Sequence, residues 1–353
     1  VSANSACVAD FRKYSDTVAI SSAIFHLFEE NPPLGRFVGI EHRLVGSSSE
    51  ELLTPDITVV YDNDSKGLLF ELKYSLPTDV RSVKDELLKL AKYSRARDGW
   101  GVRGPIQPID FILVCHSGDV KRTVDAVREV FAETNNSFFS PDNFSVWYWT
   151  LSATRGDERK EEMRLLRASG ATRNLPLQRM IDLAGGISMT EDVLMSLRFT
   201  NVFVRQKPPV QYTITLLVQN VFSALPPVHR AWERRKYDVS LDLIYEKANA
   251  LFPPWWETDV QTVQVKRGWI KEALDTLVKI KLIEKAQPTD SYSIPIPTIT
   301  TRRTTLIDLV CTKLSNLLTR GRRGRSRLPK RVRKRKAAGY RSITEFLGNR
   351  GQA

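Results

Sequence analysis

Residues 1–150 predict an α/β protein, a mixed β-sheet sandwiched between helices. Three observations carry that expectation. Stretches with apolar residues at helical spacing alternate with stretches of strand character. Ile109 to Cys115 is an apolar run apart from Asp110, the pattern of a strand buried on both faces. The chain has 42% apolar and 26% charged residues, values of a globular protein able to bury a core, which excludes a fibrous or wholly disordered chain.

The elements follow in order. From Ser15 to Glu30, Ile20, Ala23, Ile24, Leu27 and Phe28 recur on one helical face, and Asn31-Pro32-Pro33 stops the helix because proline denies it the next turn. Phe37 to Leu44, Leu53 to Tyr61 and Gly67 to Tyr74 read as three strands, the last two joined by a turn at Asp62-Asn63-Asp64-Ser65. Ser82 to Arg95 is helical, with Val83, Leu87, Leu90 and Ala91 on one face and Lys84, Lys89 and Lys92 on a basic side. The buried strand from Ile109, a helix over Val120–Phe131 and a strand over Phe144–Leu151 complete the unit. A charged turn at Arg155–Lys160 lies between two strand-like stretches, and Ala168–Asn174 is loop-like. This first unit spans 1–170, and 171–208 reads as a helical connector that ends at Lys207-Pro208-Pro209.

A second unit, 209–298, reads as three helices (Ile214–Leu225, Ser240–Leu251, Lys266–Leu282) followed by a short hairpin around Gln287–Asp290. Residues 299–353 hold an amphipathic helix, Thr304–Leu318, and a basic tail. Eleven cations and no acid fall between Arg320 and Lys336; taking them from the net charge of +13 leaves +2 on the rest of the chain. Three scattered cysteines, Cys7, Cys115 and Cys311, suggest neither a disulfide framework nor a zinc cluster, so a reducing, intracellular home is expected. No apolar run is long enough to span a bilayer, and the first residues lack the features of a signal peptide.

One constellation carries chemistry. Pro55-Asp56 opens one strand, and Phe70-Glu71-Leu72-Lys73 closes the next. The two-residue period of a strand puts Glu71 and Lys73 on one face and Leu72 on the other. If the two strands pair as a hairpin, Asp56 lies beside Glu71. Two such carboxylates repel unless a divalent cation neutralises them, and an oxygen-only donor set favours Mg²⁺ or Mn²⁺ over Zn²⁺. Lys73 would then position the attacking water or neutralise a phosphate. His26 is expected to pack rather than react, His42 and His116 have no partner set, and Trp147, Tyr148 and Trp149 are expected to build the sheet.

Pro55-Asp56 with Glu71-Leu72-Lys73, on the second and third strands of a helix-strand-strand-strand-helix-strand order, resembles the PD-(D/E)xK nuclease superfamily, the restriction-endonuclease-like fold. The resemblance covers roughly residues 10–150. It implies a metal-dependent endonuclease with Asp56 and Glu71 as ligands, Lys73 beside the water, and a further glutamate completing the metal site: Glu30 is the better candidate, and Glu41 the other. Some members carry Gln-x-x-x-Tyr on the following helix; here the stretch is Lys89-Leu90-Ala91-Lys92-Tyr93, and Lys89 and Tyr93 are expected to share a face and reach DNA or the site.

The second unit resembles winged-helix domains. Its third helix opens with Lys266, Arg267 and Lys271, the cations such a helix carries into the major groove. Arg322, Arg323, Arg331, Arg333 and Lys334 of the tail are expected to bind phosphates by counterion release. Ile343, Phe346 and Leu347 resemble a sliding-clamp-binding peptide without its leading glutamine. The domain order is similar to that of transposon-end-cleaving endonucleases, which implies a mobile element or virus, with restriction and junction cleavage equally open. Cutting both strands would favour a homodimer. The alternative function is a non-catalytic DNA-binding regulator that uses the winged helix.

Overall fold

The computed structural model describes residues 3–48, 50–73, 76–104, 106–133, 139–154, 160–183, 185–189, 207–225, 236–251, 265–287, 290–295, 298 and 303–326. Its centre is a seven-stranded mixed sheet. The strands are β1 (Arg36–Ile40), β4 (Ile57–Tyr61), β5 (Lys66–Lys73), β6 (Ile109–His116), β7 (Phe144–Thr154), β8 (Lys160–Ser169) and β9 (Ile187–Met189), hydrogen-bonded in that order. β5, β6 and β7 run parallel; the other neighbours are antiparallel. A two-stranded hairpin, β2 (Leu44–Val45) with β3 (Leu52–Leu53), stands between β1 and β4. It divides in two the single strand expected from Leu53 to Tyr61, and Pro55 lies at the break.

Helix α1 (Ala3–Glu30) covers one face of the sheet, against Ile57, Val59, Leu68, Phe70, Ile112 and Val114. α2 (Val80–Leu90) and α3 (Val120–Glu133) cover the other, against Val60, Leu69, Phe111 and Leu113. The alternation of strand side chains sorts these two sets. Trp147 and Trp149 are buried, as expected of sheet residues. α4 (Leu175–Asp182) and β9 finish the sheet beyond β8, so this stretch of the expected helical connector is in part an edge strand. Residues 190–206 of that connector and the turn at 155–159 lie outside the described residues.

The remaining elements are α5 (Val210–Leu216, continued by a π turn to Val221), β10 (Lys236–Ser240), α6 (Leu241–Leu251), α7 (Arg267–Lys279), β11 (Glu284–Ala286), β12 (Ser291–Pro295) and α8 (Arg303–Ser326). β10, β12 and β11 form a three-stranded antiparallel sheet in that order. β10 is additional to the helices and hairpin read from the sequence.

α1 is nearly twice as long as expected. Its first half packs Phe11 and Tyr14 on Tyr212 of α5, with ring centroids 5.9 and 4.5 Å apart. Cys7 of α1 and Cys311 of α8 are joined by a disulfide across 304 residues, which corrects the expectation of no disulfide. One continuous apolar cluster therefore runs from beneath the large sheet, along α1, into α5, α7 and α8. Among the described residues no helix is long and apolar enough to cross a membrane.

Candidate active site

β4 and β5 pair up to Ile57 with Phe70, which sets Asp56 beside Glu71 one step beyond the last registered pair. Two hydrogen bonds hold Asp56 there. Its main-chain oxygen accepts from Glu41 N at 2.8 Å, and its Oδ2 accepts from Leu72 N at 2.5 Å. Leu69 faces the α2–α3 core, so Glu71 and Lys73, two and four residues on, face the same way. Lys73 Nζ donates to Glu71 Oε1 at 2.8 Å. The other oxygen, Oε2, accepts from the Tyr93 hydroxyl at 3.2 Å, and that hydroxyl also lies 3.1 Å from the Thr54 carbonyl. The structure thus brings Asp56, Glu71, Lys73 and Tyr93 together.

Electrostatics follow from this crowding. Burial, and then the Glu71 charge, hold the Asp56 carboxyl well above the usual carboxylate range, with Glu41 adding to the rise; the Leu72 N–H and Lys73 oppose it. Burial alone would lower Lys73, but the charge and hydrogen bond of Glu71, with Asp56, outweigh it and keep the ammonium charged. Burial and both carboxylates push the Tyr93 phenol up, so it stays a donor.

Three further expected site residues, Glu30, Tyr93 and Lys89, are placed as follows. Glu30 is exposed on the last turn of α1, 4.0 Å from His26 Nδ1, while its neighbour Glu29 lines a groove with Asp62, Asn63 and Asp64 at the far end of β4. The other candidate, Glu41, has a left-handed backbone (φ 47°) just past β1, and its charge reaches Asp56. Tyr93 is buried, 5.8 Å from Phe111 in a stacked pair, and of the two places expected for it, DNA or the site, it reaches the site through Glu71. The shared helical face with Lys89 is lost because α2 ends at Leu90 and a 3₁₀ turn, Ala91–Arg95, follows; Lys89 is exposed against Glu86 at 2.5 Å.

Sequence reasoning missed the lock at Leu76, three residues past Lys73. Asp119, buried at the head of α3, accepts from Leu76 N at 3.2 Å and pairs with Arg122, whose guanidinium reaches the Leu76 carbonyl at 3.4 Å. The only signal in the sequence was an Asp-x-x-Arg pair at the start of a helix.

Among the described residues no group of three or more His, Cys, Asp or Glu side chains forms a ready metal centre. The expected nucleic-acid cations are distributed as follows. Lys266 lies 5.1 Å over the Trp269 ring, Arg267 is 2.5 Å from Asp242, and Lys271 is 3.2 Å from Asp290. Arg322 and Arg323 fall in the last turns of α8; Arg331, Arg333, Lys334, Ile343, Phe346 and Leu347 lie outside the described residues. No protein-family model, curated protein or solved structure matches the chain.

Proposed function

We propose that the chain is a metal-dependent DNA endonuclease, built as a restriction-endonuclease-like unit followed by a winged-helix-like unit. The observation that carries the reading is the convergence of Asp56, Glu71 and Lys73 on one face of the β4–β5 hairpin. The helix, strand, helix, helix, strand, strand order of α5 to β12 and its β10-β12-β11 sheet support the second half.

The donor set fits a hard divalent ion. Asp56 carries a carboxyl that burial and Glu71 make costly to ionise alone, and two carboxylates suffice for Mg²⁺ or Mn²⁺, which keeps several water or phosphate ligands of its own. When bound there, such an ion would make its water a better nucleophile and offset phosphate charge. The chain's own residues orient the site. Leu72 N–H fixes the Asp56 carboxyl, and Tyr93 fixes Glu71 from the core side. Lys73 carries a retained positive charge at the open end of the hairpin, where it can hold a water or a phosphate oxygen.

The test is cleavage of supercoiled DNA with Mg²⁺ by the wild type, Asp56→Ala and Lys73→Ala. The expected result is nicking or linearisation by the wild type and a loss of about a hundredfold or more in each variant. Equal activity in all three overturns the assignment. Binding without cutting would leave the non-catalytic regulator.

A further inference from the structure

Two of the three cations that the sequence assigned to DNA at the start of α7 already face acids, while Lys266 lies over the Trp269 ring. Arg267 is held by Asp242 and Lys271 by Asp290, and on the same unit Lys207 meets Glu272 at 2.6 Å and Lys285 meets Asp275 at 3.6 Å. Either α7 cation must give up an ion pair before it meets a phosphate. A different surface carries cations without such partners. From Lys89 to Arg103 the chain holds Lys89, Lys92, Arg95, Arg97 and Arg103 against one acid, Asp98. Lys92, Arg95, Arg97 and Arg103 are exposed. Lys89 and Arg95 touch Glu86 and Glu51, but among the described residues Lys92, Arg97 and Arg103 make no ion pair.

This stretch is fixed in place. Arg97 N donates to the Val45 carbonyl at 2.8 Å, Val45 N donates to the Asp98 carbonyl at 3.0 Å, and His42 Nε2 lies 2.5 Å from the Gly99 carbonyl. Two buried aromatic anchors tie it to β5. Tyr93 reaches Glu71, and Trp100 packs so closely on Gly67 that a Cβ there would meet its ring at 2.5 Å. Gly67 to Glu71 is about 13 Å at the rise of a strand, or about four nucleotide steps along one strand of a duplex. Lys92 marks the end nearest the carboxylates: its Nζ lies 4.9 Å over the ring of Tyr93, whose hydroxyl holds Glu71.

We infer that the exposed ridge of Lys92, Arg97 and Arg103 is the surface that grips the phosphodiester backbone of duplex DNA and leads it to the Asp56–Glu71 pair. The inference rests on the nucleic-acid reading of that site. It assigns the positioning contacts to the 3₁₀ turn and loop after α2, not to α7.

The experiment measures binding of the full chain to a short fluorescein-labelled DNA duplex in EDTA, across a salt series, with no cutting involved. The proteins are the wild type, a ridge variant (Lys92→Gln, Arg97→Gln, Arg103→Gln), a charge-keeping variant (Arg97→Lys, Arg103→Lys) and an α7 variant (Arg267→Gln, Lys271→Gln). The ridge variant should bind about tenfold or more weakly, with the slope of log affinity against log salt reduced by about three. The charge-keeping variant should bind as the wild type does, which separates lost charge from lost folding, and the α7 variant should lose less than the ridge variant. A ridge variant with unchanged affinity and slope, or a wild type that does not bind duplex DNA, overturns the inference. A ridge effect without Mg²⁺-dependent cutting would sink the nuclease reading and leave the binding surface standing.

Discussion

At the scale of single residues, the tension at Asp56 is the most informative feature of the molecule. Its carboxyl is held high first by burial and then by Glu71, so ionising it costs the native state. A raised carboxyl contributes stability that is complete below the unfolded value of about 4 and is lost as pH rises through the folded value. Asp56→Asn keeps an oxygen that can accept from Leu72 N–H and carries no charge to be penalised. Thermal melts from pH 4 to 8 should therefore show the wild type losing stability relative to Asp56→Asn as pH rises. Mg²⁺ should restore the wild type at neutral pH through binding linkage and leave the variant unmoved. Parallel pH curves for the two proteins, with no Mg²⁺ effect on either, would show that Asp56 is an ordinary surface carboxylate.

At the scale of elements, the turn after α2 and the β4–β5 hairpin stand or fall together through Tyr93. Tyr93→Phe keeps the ring against Phe111 and removes the hydroxyl, leaving Glu71 Oε2 and the Thr54 carbonyl without that donor. The loss should cost about 1–3 kcal/mol, because one acceptor is a charged group out of water. On the proposed nuclease reading, kcat should fall while KM for DNA holds, because the ring is buried. Lys89→Gln, which breaks only an exposed pair with Glu86, should shift stability by less than about 1 kcal/mol. The reverse ranking would place the function of this segment on its surface. Elements of this kind differ in how well the sequence shows them. β5 and β6 were legible because each carries an apolar run, Leu68–Phe70 and Phe111–Cys115, set between turn or loop signals. β9 has three residues and β2 and β3 have two, too few for any period to register. The acid, acid and lysine were legible because strand geometry alone places them. Glu41 was harder to prefer over Glu30, since its approach to Asp56 depends on a left-handed residue at the end of β1 that no local pattern announces.

At the scale of the whole molecule, α1 joins what the sequence divides. The sequence suggests a boundary near Lys207-Pro208-Pro209, while the first half of α1 shows few inward residues, and its partners Tyr212 and Cys311 lie some two to three hundred positions away. That distance gives the Cys7–Cys311 bond its leverage. Cross-linking residues 304 apart restricts the unfolded chain by about 6 kcal/mol in the chain-entropy account, less whatever the native packing gives back. Packing remains when the bond is cut, because Leu306, Val310 and Ile270 stay in the shared core. Cys115 offers no replacement thiol: it is buried, and burial pushes it up to about 11. The oxidised protein, unfolded in denaturant, should therefore titrate one free thiol of its three cysteines. Cys7→Ser/Cys311→Ser should unfold at a lower urea concentration while cleaving DNA at the wild-type rate at low temperature, since neither residue touches the β4–β5 hairpin. Three free thiols, or identical urea midpoints for variant and wild type, would remove the clamp between α1 and α8. Cleavage lost together with the bond would instead mean that α1 must be pinned at both ends before the sheet can hold Asp56 and Glu71 in register.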